Sequence, residues 1–217
     1  MDTNTILGIF VGYLIGSIPF PFIFGKLVKG IDLRQVGSHN VGGRNAFHSI
    51  GPFWGVLAGA LDAVKGIGAL LAAQALGGEY PGYLLAGLAA IAGHNWPVWL
   101  RFKGGKGLAV AMGIGAYLAL PETAIAVVVG GALLWFTSNV TVAAFIGYVL
   151  LLALLWLRGQ SPEYMWLLLG AALLGVIGIL PNAIQMVRTQ GAVREYFKRP
   201  SKVYETEPEE QERQNGR

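Results

Sequence analysis

Long apolar runs constrain this chain more than any other feature. Windows at about 4–27, 52–76, 82–100, 140–157 and 163–187 are each near the roughly 20 residues that a helix needs to cross a hydrocarbon core. A chain that is 54% hydrophobic and 13% charged, with a mean hydropathy of +0.54, is too apolar for an ordinary soluble domain and too rich in large aliphatics for a disordered one. The expectation is an all-α integral membrane protein. The N-terminal stretch MDTNTILGIF carries an acid where a signal peptide has a basic segment, and no small-residue cleavage pattern follows. That stretch is expected to be retained as the first span. With no cysteine, disulfides, thiolate metal sites and a cysteine nucleophile are excluded. Three scattered histidines leave no metal constellation.

The interval from Gly107 to Phe136 can be one kinked span or two short ones broken at Pro121-Glu122. Charge decides, because Lys and Arg collect in the cytoplasmic loops of short-looped membrane proteins. With two short spans, Lys26, Lys29, Arg34, Arg44, Arg101, Lys103 and Lys106 fall on one side, joined by Arg188, Arg194, Lys198, Arg199 and Lys202 of the tail. The other side keeps Arg158 beside Asp2, Glu79, Glu122 and Glu163. The prediction is therefore seven transmembrane helices, with the N-terminus outside and the C-terminus cytoplasmic. They occupy residues 1–188, and residues 189–217 form a charged tail.

This topology puts three polar segments on the cytoplasmic face: 29–51, 93–107 and the weaker TSNVT at 137–141. The first two combine Gly, Asn, Ser and basic side chains. Successive glycines let backbone N–H groups turn toward one point as an anion nest, with Lys or Arg supplying charge. Lys103-Gly104-Gly105-Lys106-Gly107 then runs into an apolar helix, whose N-terminus also favours phosphate. GGKG is not a nucleotide-binding P-loop, since no Gly stands four residues upstream and no Ser or Thr follows the Lys. Basic loops beside anionic headgroups would account for Lys26, Lys29 and the tail without any site, but not for the glycines. Asp62 and Lys65, at i,i+3 inside the second window, read either as a structural ion pair or as a device holding the first loop over the site. The small residues of the spans imply close helix packing.

GSIPFPFIFGKLVKGIDLRQVGSHNVGGRN, LDAVKG and GHNWPVWLRFKGGKGLA together resemble the bacterial membrane glycerol-3-phosphate acyltransferases that use acyl phosphate, the PlsY family. The likeness covers residues 16–112, and this chain is identified as a divergent member. The resemblance implies a seven-helix fold in the bacterial inner membrane. It implies transfer of a fatty acyl group from acyl phosphate to the 1-hydroxyl of glycerol 3-phosphate, giving lysophosphatidate and phosphate in phospholipid biosynthesis. Two phosphates and an alkyl chain then have to meet at the inner membrane surface. The implied partners are these substrates, membrane lipids and the enzyme that makes acyl phosphate. No cofactor, metal or nucleic acid is implied.

Carried over by position, Lys106, His94 and Asn45 form the expected catalytic set. Ser38, Asn40, Gly42, Arg44, Asn95, Arg101, Lys103, Gly104, Gly105, Gly107, Thr141 and Gln185 form the expected substrate- and phosphate-binding set. Lys103, Lys106 and the backbones of 104–107 and 38–42 are assigned to the phosphates, while Asn40, Asn45, His94 and Asn95 orient the acceptor. His94 is either a general base or an orienting group. In the first motif Ser38, Asn40, Gly42 and Asn45 match, whereas His39, Val41, Gly43 and Arg44 depart, Arg44 replacing a Thr. The second motif matches from Gly93 to Gly107 at its family positions, and then Val110 replaces a Thr. The third reads Thr141-Val142-Ala143-Ala144 after Ser138 in place of an Arg, and a C-terminal His-x-x-Asn becomes Asn182-x-x-Gln185. Two other readings stay open on sequence: a non-catalytic lipid- or partner-binding relative, and a small anion transporter.

Overall fold

A computed structural model describes residues 2–190, with the side chains of all but Thr141 and 181–190. All regular structure among them is helical. The helix α1 (Thr3–Gly16) starts on Asp2, whose carboxylate accepts from the Thr5 N–H at 2.6 Å. It stops at Ser17-Ile18-Pro19, and α2 (Phe20–Lys29) continues the path. Pro19 and Pro21 each lack the N–H that an uninterrupted helix would use. The expected single span at 4–27 is therefore a broken one.

Between α2 and the next long helix lies a short one the sequence reading did not foresee, α3 (Gly43–Ile50). It lies tight on α4 (Pro52–Ala75), because a Cβ on Gly55 would overlap the Phe47 backbone. The helix α5 (Leu84–Asn95) ends before the expected 82–100 window does, at Trp96-Pro97, and a 3-10 turn (Val98–Leu100) follows. Then come α6 (Leu108–Leu118) and α7 (Leu120–Thr137). Their break falls at Ala119, just before Pro121, as the two-helix reading of this interval expects. The helices α8 (Val140–Leu157) and α9 (Pro162–Gln190) complete the described chain.

Among the described residues four helical segments are long and apolar enough to cross a membrane: Thr3–Lys29, Pro52–Ala75, Leu120–Thr137 and Pro162–Leu180. With 12 and 11 residues, α5 and α6 reach only about 18 and 16 Å. The loop joining them consequently lies beside the middle of α4 and not at its end. His94 of that loop's stem meets Lys65, which is roughly 20 Å along the axis from Pro52. Close backbone approach holds the short helices in place. Side chains at Gly12, Gly16 or Gly93 would collide across the α1–α5 contact, and one at Gly113 would collide with Ala63 of α4. Lipid tails give no hydrophobic drive between helices, so such small-residue seams carry the association. The core between α4, α5, α6 and α9 is built on Leu70, Ile91, Val110, Ile114 and Leu167. Trp135 and Phe136 stand exposed at one end of α7, and Trp156 and Trp166 at the opposite end of the bundle, the arrangement of interfacial aromatic belts.

Candidate active site

The first polar loop is shaped by one side chain. Asn45 is 1% exposed, and its Nδ2 lies 2.9, 3.1 and 3.0 Å from the carbonyl oxygens of Leu33, Val36 and Asn40. Its Oδ1 accepts from the Ser38 N–H at 3.1 Å. With the Ser49 hydroxyl 3.3 Å from the same Oδ1, Asn45 shapes the loop that carries Ser38 and Asn40. Arg34 forks onto Asp32 (Nη2–Oδ2 2.6 Å), stacks over Phe22 at 5.2 Å, and reaches the Leu100 carbonyl at 3.4 Å. Hydrogen bonding from Arg34 holds the Asp32 carboxyl below the usual carboxylate range. With the Val41 N–H donating to Gly104 O at 3.4 Å, this fastens the first loop to the second.

The second loop folds back on the end of α5. Gly104 N–H donates to Asn95 O at 3.1 Å and Gly105 N–H to His94 O at 2.9 Å. These donors satisfy carbonyls that a helix C-terminus leaves open, so they do not form the expected anion nest. The two glycines are required for another reason: a Cβ on Gly104 would overlap the His94 carbonyl, and one on Gly105 the His94 ring. Gly107 has φ +74°, a left-handed backbone that favours glycine, and it caps the N-terminus of α6. Gly42 stands at the N-terminus of α3 with an extended backbone, φ −140°. Each N-terminus presents N–H groups without intrahelical partners and the positive end of a dipole.

Two of the expected cations stand at these helix N-termini. Arg44, in the first turn of α3, and Lys106, just before α6, are both half-buried. Burial lowers the Lys106 pKa from the ordinary lysine value, and the charge of Arg44 lowers it further. Among the described residues neither has a carboxylate partner. Two like charges held together without a counter-ion at two helix N-termini are suited to a multiply charged anion. Asn40 lines the same loop beside Gly42. Ser38, Arg101 and Lys103 are exposed, the last two beyond the 3-10 turn, where Arg101 and Phe102 take left-handed φ of 53° and 61°. The side chains of Thr141 and Gln185 lie outside the described residues, as does the tail from 191 onward.

Asn95 is 3% exposed and donates to the Leu174 carbonyl at 3.0 Å, tying α5 to α9. Its Oδ1 is buried without a hydrogen-bond partner and faces Gly107. His94, 7% exposed, belongs to a buried cluster: Lys65 Nζ lies 2.7 Å from Asp62 Oδ1, 3.0 Å from His94 Nδ1 and 2.7 Å from Ile18 O. Nδ1 of His94 also lies 3.5 Å from Asp62 Oδ1, so the ring is held between the lysine and the carboxylate. Sequence spacing pointed to the Asp62–Lys65 pair, but nothing in the sequence joined it to His94 or to the break at Ile18.

An apolar cavity of about 230 Å³ opens between α6, α7 and α8. Leu108, Met112, Ala126, Gly130, Ala144 and Tyr148 are among its walls. It begins at the residue directly after Gly107, so the cationic loop and the apolar space share an edge. No sequence signal separated its lining from other span residues.

The sequence pattern of glycerol-3-phosphate acyltransferases matches residues 6–189. The chain belongs to that family. It is 36% identical to the glycerol-3-phosphate acyltransferase of Shouchella clausii, across 87% of this chain and 93% of that one, and 39% identical to that of Desulforamulus reducens, across 75% and 81%. A glycerol-3-phosphate acyltransferase 2 of Dehalococcoides mccartyi is 51% identical over 118 residues, and there the chain spans about half of the relative's length, 55%. The crystal structure of PlsY (YgiH), an integral membrane glycerol 3-phosphate acyltransferase, in its glycerol 3-phosphate form superimposes with a TM-score of 0.75 at 30% identity, covering 90% of this chain and 99% of that one. The lysophosphatidic acid form gives 0.73. This family member is a multi-pass integral membrane protein built of helices.

Proposed function

We propose that this chain transfers a fatty acyl group from acyl phosphate to the 1-hydroxyl of glycerol 3-phosphate, releasing lysophosphatidate and inorganic phosphate. The observation that carries this is the shared edge between Arg44 and Lys106, which lack a counter-ion, and the apolar cavity that starts at Leu108. One substrate has a phosphate and an alkyl chain, the other a phosphate and a hydroxyl. Acyl phosphate would lay its chain between α6, α7 and α8, with its phosphate at the N-terminus of α6. The acceptor hydroxyl attacks the acyl carbonyl carbon, the bond from that carbon to the phosphate oxygen breaks, and the hydroxyl proton passes to the departing phosphate. Alignment of the two substrates and fixed positive charge around the leaving phosphate supply the acceleration. Lys106, Arg44 and the N-termini of α3 and α6 hold the phosphates; Asn40 and the open Oδ1 of Asn95 face the acceptor.

The same reading assigns seven spans in residues 1–188, an outside N-terminus, the charged tail 189–217 in the cytoplasm and the site on the cytoplasmic side of the bacterial inner membrane. It is supported by the distribution of Lys and Arg. A cytoplasmic reporter fused after Arg199 is expected to be active and a periplasmic one silent; the reverse overturns the orientation. The activity is tested with purified protein, a long-chain acyl phosphate and a panel of phosphorylated and unphosphorylated alcohols. Transfer confined to phosphorylated acceptors, with one phosphate released per acyl group, is expected. Absence of transfer to every acceptor overturns the proposal.

A further inference from the structure

The cluster of Asp62, Lys65 and His94 lies beneath the second loop, and no bound substrate is needed to account for its contacts. Asp62 is 1% exposed and Lys65 4%, in a part of α4 that lies inside the membrane-spanning segment. An ion pair so placed is costly, and well-packed apolar residues would give equal or greater stability. Its geometry indicates what the charge does instead. The Lys65 ammonium reaches three chain segments: Ile18 O at the break between α1 and α2, Asp62 on α4, and His94 on α5. The first satisfies a carbonyl that the break leaves open. The last fixes the imidazole ring, and the ring is the surface against which Gly105 rests. Phe20 adds its ring face at 5.9 Å from the ammonium.

We propose that Asp62, Lys65 and His94 are positioning residues that hold the loop 103–107, and hence Lys106, at the depth where the phosphate of the substrate is bound. This rests on the function proposed above. The pair orients the ring, the ring sets Gly105, and Lys106 follows Gly105 directly. Asp62 and Lys65 therefore act through the loop without touching substrate.

The test separates positioning from plain structural support. Asp62→Asn and Lys65→Met singly leave a buried charge unpaired, and each lowers the unfolding temperature. The double variant Asp62→Asn/Lys65→Met removes both charges and recovers most of that loss. Under the proposal it still binds glycerol 3-phosphate at least tenfold more weakly than the unaltered chain by calorimetry, and its kcat with acyl phosphate falls further. If activity and affinity return with stability, to within threefold, the positioning role is overturned. His94→Asn gives a second measure that does not depend on the double variant folding. It keeps an acceptor for Lys65 where Nδ1 stood and removes the ring from Gly105. A tenfold or greater loss of glycerol 3-phosphate affinity supports the proposal, and unchanged affinity overturns it. Should the unaltered chain bind glycerol 3-phosphate yet transfer no acyl group, the proposed reaction fails while the binding constants still decide the positioning role.

Discussion

The two ends of the helix bundle use charge in opposite ways. Where α7 begins and α8 ends, Glu122 is 2% exposed, and its Oε1 accepts from Gln160 Nε2 at 3.3 Å with Arg158 Nε at 3.7 Å. Nearby the Tyr80 hydroxyl, the Ser161 hydroxyl and the Glu163 carboxylate form a chain of hydrogen bonds, and Asp2 caps α1. Every ionised group named there faces a group of complementary polarity, and the contacts close the connection between helices. At the other end the charge of Arg44 acts on Lys106. A fold gains nothing from like charges near each other without a counter-ion, and the proposed function assigns this end to an anion that arrives with substrate.

That contrast is broken or sharpened by four measurements, from the largest effect down. Lys106→Ala is expected to lower acyl transfer by about a hundredfold or more, the scale for losing a preorganised charge at a reacting phosphate. Its unfolding temperature should not fall, because the charge it removes is one that the ligand-free fold holds at a cost; turnover within threefold of the unaltered chain would take the loop out of the site.

Arg44→Thr, which restores the residue typical of the family, is expected to raise the KM for a phosphorylated substrate by about tenfold, corresponding to ~1.4 kcal/mol of lost charge-assisted contact. Arg44→Lys should recover only part of this, since a point charge lacks the planar fork. Constants within twofold for both variants would assign Arg44 to the membrane surface instead.

The lowered pKa of Lys106 gives a smaller, pH-dependent effect. Its folded value lies below the unfolded 10.5, so between the two the unfolded chain holds more protons, and the contribution of this group to stability rises with pH across that window. Phosphate binding moves the other way, because the ammonium is lost in the same range. Unfolding temperature and KM followed from about pH 8 to 11 should therefore both rise with pH as far as this lysine is concerned. Lys106→Gln should remove its share of both slopes, and slopes identical to those of the unaltered chain would show that another group titrates.

At the opposite end Glu122→Ala is expected to cost about 1–3 kcal/mol, as for a buried hydrogen-bonding group, and to lower the unfolding temperature by several degrees. Its kcat/KM should stay within twofold. A drop of tenfold in a folded variant would mean that the two ends do not divide structure from function as described.

Much of this could be read in advance, residue by residue. Pro121 announced the α6–α7 break because proline cannot donate within a helix, and the small residues of α1, α4 and α5 announced close seams. The interruption of the first span was written in Pro19 and Pro21 too, but an apolar flank on both sides hid it. The helix α3 was hidden inside a loop rich in glycine and asparagine, where local propensity is weak and packing on Gly55 and Gly59 of α4 decides. The glycines at 104 and 105 stand out in the sequence, and the structure adds that their donors close the end of α5 and that their bareness admits His94.

By itself the sequence determined what depends on composition and order along the chain: a helical membrane protein, a glycine- and lysine-rich loop of the family's pattern, and the gathering of most cations into a few polar segments. These follow from transfer free energies and from local backbone chemistry, which need no partner. The tertiary structure decided which polar residues are spent and which are free. Asn45 and His94 are chemically able to contact substrate, but their partners are backbone groups and a lysine distant in sequence, and only the packing of α1, α4 and α5 brings those within hydrogen-bonding reach. Arg44 and Lys106 remain without a carboxylate partner for the same reason: among the described residues the carboxylates near the two loops, Asp32 and Asp62, are paired with Arg34 and Lys65.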